Sequence, residues 1–284
     1  MSRLVNRGIY EDEVKIDKTL FSDPEDSYSI IQEEVVFLPN NIKIKWKTKV
    51  DLNSKPKKKI IGVLGGMSPE ATANFYQELI QQCRIIYGAK YDVDFPEIII
   101  LNLPVPNMFN KAQKSKEVLE LLINGAKRLE KIGADFIVMP CNTAHFYYQD
   151  IKKQISIPFL SIATETAKKI KSENIDFVGI LATNTTINGK IYNQDLKKLG
   201  IKLIAPKDQE KVNSIVDNIL QGKKLRQDKL DFKKIIWKLE KNNVKAIILG
   251  CTDIPLLLKQ EDVDIELFDT AKILAESAVK YAIN

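Results

Sequence analysis

From Lys58 to the C-terminus, short runs of apolar, mostly β-branched residues alternate with longer amphipathic segments. Few folds accommodate that rhythm. Each run is too short for a helix and apolar on both faces, so it reads as a strand covered on both sides. Strands of this kind separated by helices build parallel sheets between helical layers. The expected strands are Lys59–Leu64, Glu97–Leu101, Phe136–Met139, Phe159–Ile162, Phe177–Leu181, Lys202–Ile204 and Ala246–Leu249. The expected helices include Pro69–Tyr87, Ser115–Ile132 and Asp208–Gln221, with a last helix, Thr270–Ala282, returning to pack on the first. The fold class is α/β.

The rhythm also repeats itself. Asp135-Phe136-Ile137-Val138-Met139-Pro140-Cys141-Asn142-Thr143 is echoed by Lys245-Ala246-Ile247-Ile248-Leu249-Gly250-Cys251-Thr252-Asp253. Upstream, Ile61-Gly62-Val63-Leu64-Gly65-Gly66 is echoed by Phe177-Val178-Gly179-Ile180-Leu181-Ala182-Thr183. The body therefore reads as two pseudo-symmetric α/β domains, residues 58–162 with 268–284 and residues 163–267, with the active site between them. Each half carries one cysteine at the carboxyl end of a strand, which is where open parallel sheets bind ligands.

Residues 1–57 stand apart as an N-terminal extension. They hold equal numbers of basic and acidic residues, segregated along the chain. Ile42-Lys43-Ile44-Lys45-Trp46-Lys47-Thr48-Lys49-Val50 alternates with period two, the pattern of a half-buried strand with a lysine face. Ile30 to Leu38 is also strand-like, and Pro39-Asn40-Asn41 is turn chemistry. Together they predict a β-hairpin with acids on one arm and lysines on the other, followed by a linker at Ser54–Lys59. An edge or dimer-contact role suits such a hairpin.

Composition narrows the chemistry. Charged residues make up 28% of the 284-residue chain, ordinary for a soluble globular protein. No apolar run approaches the ~18 residues of a membrane span, and the N-terminus lacks the apolar core of a signal peptide, so a cytoplasmic location is expected and no membrane partner. The net charge of +6 comes mostly from lysines dispersed among acids. That is a solvated surface rather than a nucleic-acid footprint. Three cysteines and one histidine are too few for a disulfide framework or for most zinc sites, so no metal is expected.

Two thiols facing one cleft suit proton transfer on both faces of a carbon, one as thiolate base and the other as thiol acid. Adjacent thiolates repel, so their titrations couple and one proton stays on. Cys83 lies mid-helix in no motif and reads as structural. His145 falls four residues after Cys141, where a cap or a hydrogen bond within the inner helix is expected. In Leu64-Gly65-Gly66-Met67-Ser68-Pro69-Glu70 a strand turns into a helix, with Ser68 as N-cap and Pro69 as first helical residue. The matching turn, Thr183-Asn184-Thr185-Thr186, is rich in hydroxyls suited to a carboxylate.

Three motifs carry a resemblance. Ile60 to Thr72, Met139-Pro140-Cys141-Asn142-Thr143-Ala144-His145 and Leu249-Gly250-Cys251-Thr252-Asp253 resemble, in that order, the aspartate/glutamate racemase family, and within it the cofactor-independent aspartate racemases. The resemblance runs from about Lys58 to the C-terminus. It implies a homodimer, a small dicarboxylic amino acid as substrate, and a two-base mechanism with no cofactor. It implies Cys251 as base for the L enantiomer and Cys141 for the D enantiomer. Met67, Asn142, Thr143 and Thr183 would surround the substrate, Lys211 would bind a substrate carboxylate, and Asp253 would tune the thiol. The implied reaction is aspartate racemisation, with glutamate next. Where many aspartate racemases carry an acid and an arginine, this chain has Asn107 and Met108. That departure keeps maleate isomerase, hydantoin racemase and malonate decarboxylase chemistry in view on the same fold. A non-catalytic small-acid sensor is the alternative from another class.

Overall fold

Two parallel sheets carry the body of the chain, and a separate antiparallel hairpin precedes them. The computed structural model describes residues 29–38, 42–51, 58–106, 108 and 115–284. In the hairpin, β1 (Ser29–Leu38) runs antiparallel to β2 (Ile42–Asp51), with Ser29 opposite Asp51, Glu33 opposite Lys47 and Leu38 opposite Ile42. The expected strands are thus present; the expected turn at residues 39–41 lies outside the described residues, as do residues 52–57 of the linker region. The hairpin and the stretch Lys58–Asn284 are separate contact units.

The first domain sheet is built on β3 (Ile61–Gly65), every residue of which is buried. Chain order continues with α1 (Pro69–Tyr87), β4 (Ile98–Asn102), α2 (Lys116–Lys131), β5 (Phe136–Val138), α3 (Tyr148–Lys152) and α4 (Ile162–Ser172). The strand order is β4-β3-β5, all parallel. The start of α1 follows the local chemistry of its sequence. The Ser68 hydroxyl accepts the Ala71 N–H at 3.2 Å, Pro69 opens the helix, and Gly88 closes it in the left-handed region at φ 71°.

The second domain repeats the plan with β6 (Phe177–Ala182), α5 (Asn184–Asn188), α6 (Asn193–Lys198), β7 (Lys202–Ile204), α7 (Gln209–Leu220), α8 (Arg226–Glu240), β8 (Ala246–Gly250) and β9 (Glu266–Asp269). Its order is β7-β6-β8-β9, again all parallel. So β3 corresponds to β6, β4 to β7 and β5 to β8. The first pair holds the echoed glycine-containing strands, and the third leads into the two cysteines.

One expected strand is reduced. At Phe159–Ile162 the chain makes only a single parallel bridge, Ile137 to Phe159, whereas the equivalent β9 is a full strand. Pro158 offers a carbonyl to the Ile137 N–H but has no N–H to extend the ladder, and Ser161 already caps α4. The final helix, α9 (Thr270–Ile283), does return to α1: Phe75, Leu79 and Cys83 share a core with Leu274, Ala275 and Ala278. Full burial of side chains such as these stabilises the fold by about 1.5–3 kcal/mol each. Cys83 is fully buried there, as its structural reading required. None of the helices among the described residues is long and apolar enough to cross a membrane.

Candidate active site

The carboxyl ends of β3, β5, β6 and β8 converge on one cavity of about 270 Å³ between the two sheets. That is slightly below the roughly 300–1,000 Å³ of drug-sized ligand pockets, so it fits one small molecule. Cys141 enters from the first half and Cys251 from the second. Met67, Asn142, Thr143, Thr183 and Asp253 line the same cavity. Lys211 does not. Its ammonium pairs with Asp231 on α8 at 2.9 Å, and its side chain is half exposed. The structure therefore leaves Lys211 outside the lining.

Both thiols are buried, and burial pushes both pKa values up. Cys141 is raised to about 12, with the charge of Asp253 adding to the desolvation and the N–H groups of Ala144 and Thr143 acting against it. Cys251 is raised well above the usual thiol value by burial and by Asp253; the Asp253 N–H opposes this, and Cys141 reinforces it. The Cys251 thiol donates to Asp253 Oδ2 at 3.7 Å, and the Ser68 hydroxyl donates to Asp253 Oδ1 at 2.5 Å. Burial raises the Asp253 carboxyl as well, while the hydrogen bonds from Ser68 and Cys251 act against that rise.

Around the thiols, hydrogen bonds stitch one half to the other. The Thr143 hydroxyl lies 3.1 Å from those of both Thr183 and Thr186, which are themselves 3.1 Å apart. Asn142 donates from Nδ2 to Thr270 Oγ1 at 3.0 Å and accepts at Oδ1 from the Tyr192 hydroxyl. Its amide is thus engaged by Thr270 and Tyr192. Thr252 donates to the Pro140 carbonyl at 3.2 Å, and Thr185 to the Met108 carbonyl at 3.1 Å. Sequence reasoning named Thr186 only as part of a turn and missed Tyr192 and Thr270. Tyr192 and Thr270 reach Asn142 from distant parts of the chain, so no local pattern marks them.

His145 is a clamp. Its Nε2 accepts the Ile162 N–H at 3.0 Å, so the proton sits on Nδ1, which donates to the Cys141 carbonyl at 2.7 Å. The ring thereby fixes the cysteine loop to the start of α4 through the Cys141 carbonyl. Burial holds its pKa down at about 4, against 6.5 for a free histidine. In the unfolded chain the ring takes up a proton below pH 6.5, whereas in the folded chain it stays neutral until about pH 4. Its contribution to stability is therefore intact above pH 6.5 and lost as pH falls from 6.5 to 4, by about 3 kcal/mol in all. Urea midpoints at pH 7 and pH 4.5 are expected to show this loss, and His145→Gln is expected to shrink it. An undiminished loss in that variant would assign the acid sensitivity to other groups.

Among the described residues no cluster of three or more His, Cys, Asp or Glu side chains is arranged to hold a metal ion.

Paired cysteines at equivalent strand ends of two similar parallel-sheet domains, closed over one small cavity, define a recognisable class. The profile of the Asp/Glu/Hydantoin racemase family matches residues 64–278, and the chain belongs to that family. It is therefore an enzyme of the racemase class with a two-domain α/β fold. A curated relative, the broad specificity amino-acid racemase RacX of Bacillus subtilis (strain 168), is 35% identical over 222 residues, covering 78% of this chain and 96% of that protein. Among solved structures, the aspartate racemase of Picrophilus torridus aligns with a TM-score of 0.68 at 29% identity, covering 79% of this chain and 94% of that one. An aspartate racemase homologue from Pyrococcus horikoshii OT3 aligns with a TM-score of 0.68 at 30% identity, covering 80% of this chain and 100% of that one.

Proposed function

We propose that this chain is a cofactor-independent amino-acid racemase in which Cys141 and Cys251 are the paired acid and base. The observation that carries this reading is the presence of two buried thiols on one amino-acid-sized cavity, each at the carboxyl end of an equivalent strand. One cysteine, as thiolate, removes the α-proton. The other, as thiol, delivers a proton to the opposite face, and the two exchange roles in the reverse direction. Cys251 serves the L enantiomer and Cys141 the D enantiomer. Asp253, hydrogen-bonded to the Cys251 thiol, is placed to take its proton as the thiolate forms. Burial, with the negative charge of Asp253 adding to it, holds both thiols protonated, and a substrate ammonium entering the cavity would offset that charge. The Thr143 and Thr183 hydroxyls offer donors to the α-carboxylate, where charge accumulates as the carbanion forms.

The test is α-deuterium exchange and inversion, followed for the wild type and for Cys141→Ala and Cys251→Ala. Inversion surviving unchanged in either variant would exclude the two-base reading.

A second reading concerns the side chain accepted. The likeness to an aspartate racemase structure supports aspartate, with glutamate next, and the likeness to a broad-specificity racemase supports a wider range. The family resemblance further supports a homodimer in the cytoplasm. Light scattering is expected to give twice the chain mass of 32.3 kDa, and a monomer at micromolar concentration would overturn that assembly.

A further inference from the structure

Resting on the two-base reading, we infer that the substrate is a neutral amino acid with an apolar side chain, selected by an apolar wall that includes Met67, Val105, Met108 and Leu220. The cavity has two kinds of wall. Ser68, Asn142, Thr143, Thr183, Thr252 and Asp253 join the thiols in the polar part of the lining, and Met67, Val105, Pro106, Met108 and Leu220 make the apolar part. Among the described lining residues the only formally charged side chain is Asp253, an acid.

A dicarboxylic substrate brings a second carboxylate into this space. Burying it without a cation or a set of N–H donors is unfavourable, and the negative charge of Asp253 adds repulsion. Among the described residues, the lysines Lys211 of α7 and Lys224 of the turn after it form ion pairs outside the cavity. Lys211 pairs with Asp231 at 2.9 Å, and Lys224 pairs with Glu70 at 2.5 Å; neither lines the cavity. Met108, where a charged clamp was sought from the sequence, is only 8% exposed and packs in the first-domain core with Leu64 and Leu103. Its carbonyl accepts a hydrogen bond from the Thr185 hydroxyl of the second domain. Leu220 complements it from the last turn of α7, where 38% of its surface is exposed. An apolar ligand side chain would cover that leucine and gain by it; a carboxylate would not. Two methionines in the wall, with flexible thioethers, accommodate branched and unbranched side chains alike.

The experiment measures kcat/KM for α-deuterium incorporation from D2O into L-methionine, L-leucine, L-aspartate, L-glutamate and L-lysine by the wild-type chain. The neutral pair is expected to exceed both acids and lysine by about 100-fold, the scale on which pockets reject a mismatched group. Met108→Arg is expected to move the ratio toward aspartate. Leu220→Arg, on the exposed rim and therefore tolerant of the charge, is a second variant expected to move it the same way if the first fails to fold. Preference for aspartate, glutamate or lysine in the wild type would overturn the inference while leaving the two-base chemistry intact. So would ratios that neither folded variant changes. Exchange on none of the five, in protein shown to be folded, would instead remove the racemase reading on which the inference rests.

Discussion

Alanine at either Cys141 or Cys251 is expected to lower kcat for racemisation by roughly 10³-fold or more, with substrate binding retained. A positioned acid or base contributes about 10²–10⁴-fold, and inversion requires both in one turnover. The two variants should nevertheless differ in a way that an incidental loss of structure would not reproduce. With Cys141→Ala, Cys251 still faces the L enantiomer. It can remove the α-proton, exchange it with solvent and return a deuteron to the same face. Residual exchange without inversion is therefore expected from the L enantiomer in that variant, and from the D enantiomer in Cys251→Ala. Exchange of both enantiomers at equal residual rates in both variants would contradict the facial assignment. Binding should survive because the hydrogen bonds that close the cavity run through Asn142, Thr143, Thr183 and Thr252 rather than through the sulfurs.

Gly66→Ala is expected to cost roughly 2–5 kcal/mol of stability, combining backbone strain with overpacking. Gly66 sits at φ +95°, a region open to glycine. A Cβ there would lie 2.2 Å from the Leu103 carbonyl oxygen and 2.5 Å from the Leu103 nitrogen, which are backbone atoms that have no side-chain rotation to relieve the overlap. The Leu103 N–H already bonds to the Gly65 carbonyl at 3.1 Å, so the two loops are fixed to one another. Gly133→Ala is the matched control. It has a similar φ of +101° with nothing within 4 Å of the added carbon, and should cost only the about 1–2 kcal/mol of the left-handed backbone. Equal losses in urea titrations of the two variants would show that the contact with Leu103 is not what excludes a side chain at Gly66. Because Gly66 also lines the cavity, its alanine variant should lose activity even where it remains folded.

Much of this arrangement is legible in the residues themselves. The apolar strands need both faces covered, which fixes parallel sheets. The Ser68-Pro69 pair starts α1 where its capping chemistry requires. The echo of Met139-Pro140-Cys141 by Leu249-Gly250-Cys251 puts both thiols at strand ends, and they reach a common cavity. Elsewhere local pattern misleads. Pro158 shortens an expected strand to one bridge, since a missing donor outweighs the β-propensity of its neighbours. Lys211, assigned to a substrate carboxylate by family resemblance and not by its surroundings in sequence, pairs with Asp231 on the next helix and lies outside the cavity lining. Asn142 stands beside a thiol in sequence, yet Tyr192 and Thr270 take up its amide from 50 and 128 residues away.

The sequence by itself determined the architecture and the reactive pair, because periodicity dictates which faces are buried and a strand end dictates where a cysteine emerges. Only the tertiary structure decided what surrounds that pair. Which hydroxyls meet across the domain boundary, which lysine is already paired, and how apolar the far wall becomes all depend on residues far apart in the chain. Burial then sets their energetics: it raises both thiols, keeps His145 neutral, and makes an uncompensated second carboxylate a poor occupant of the cavity.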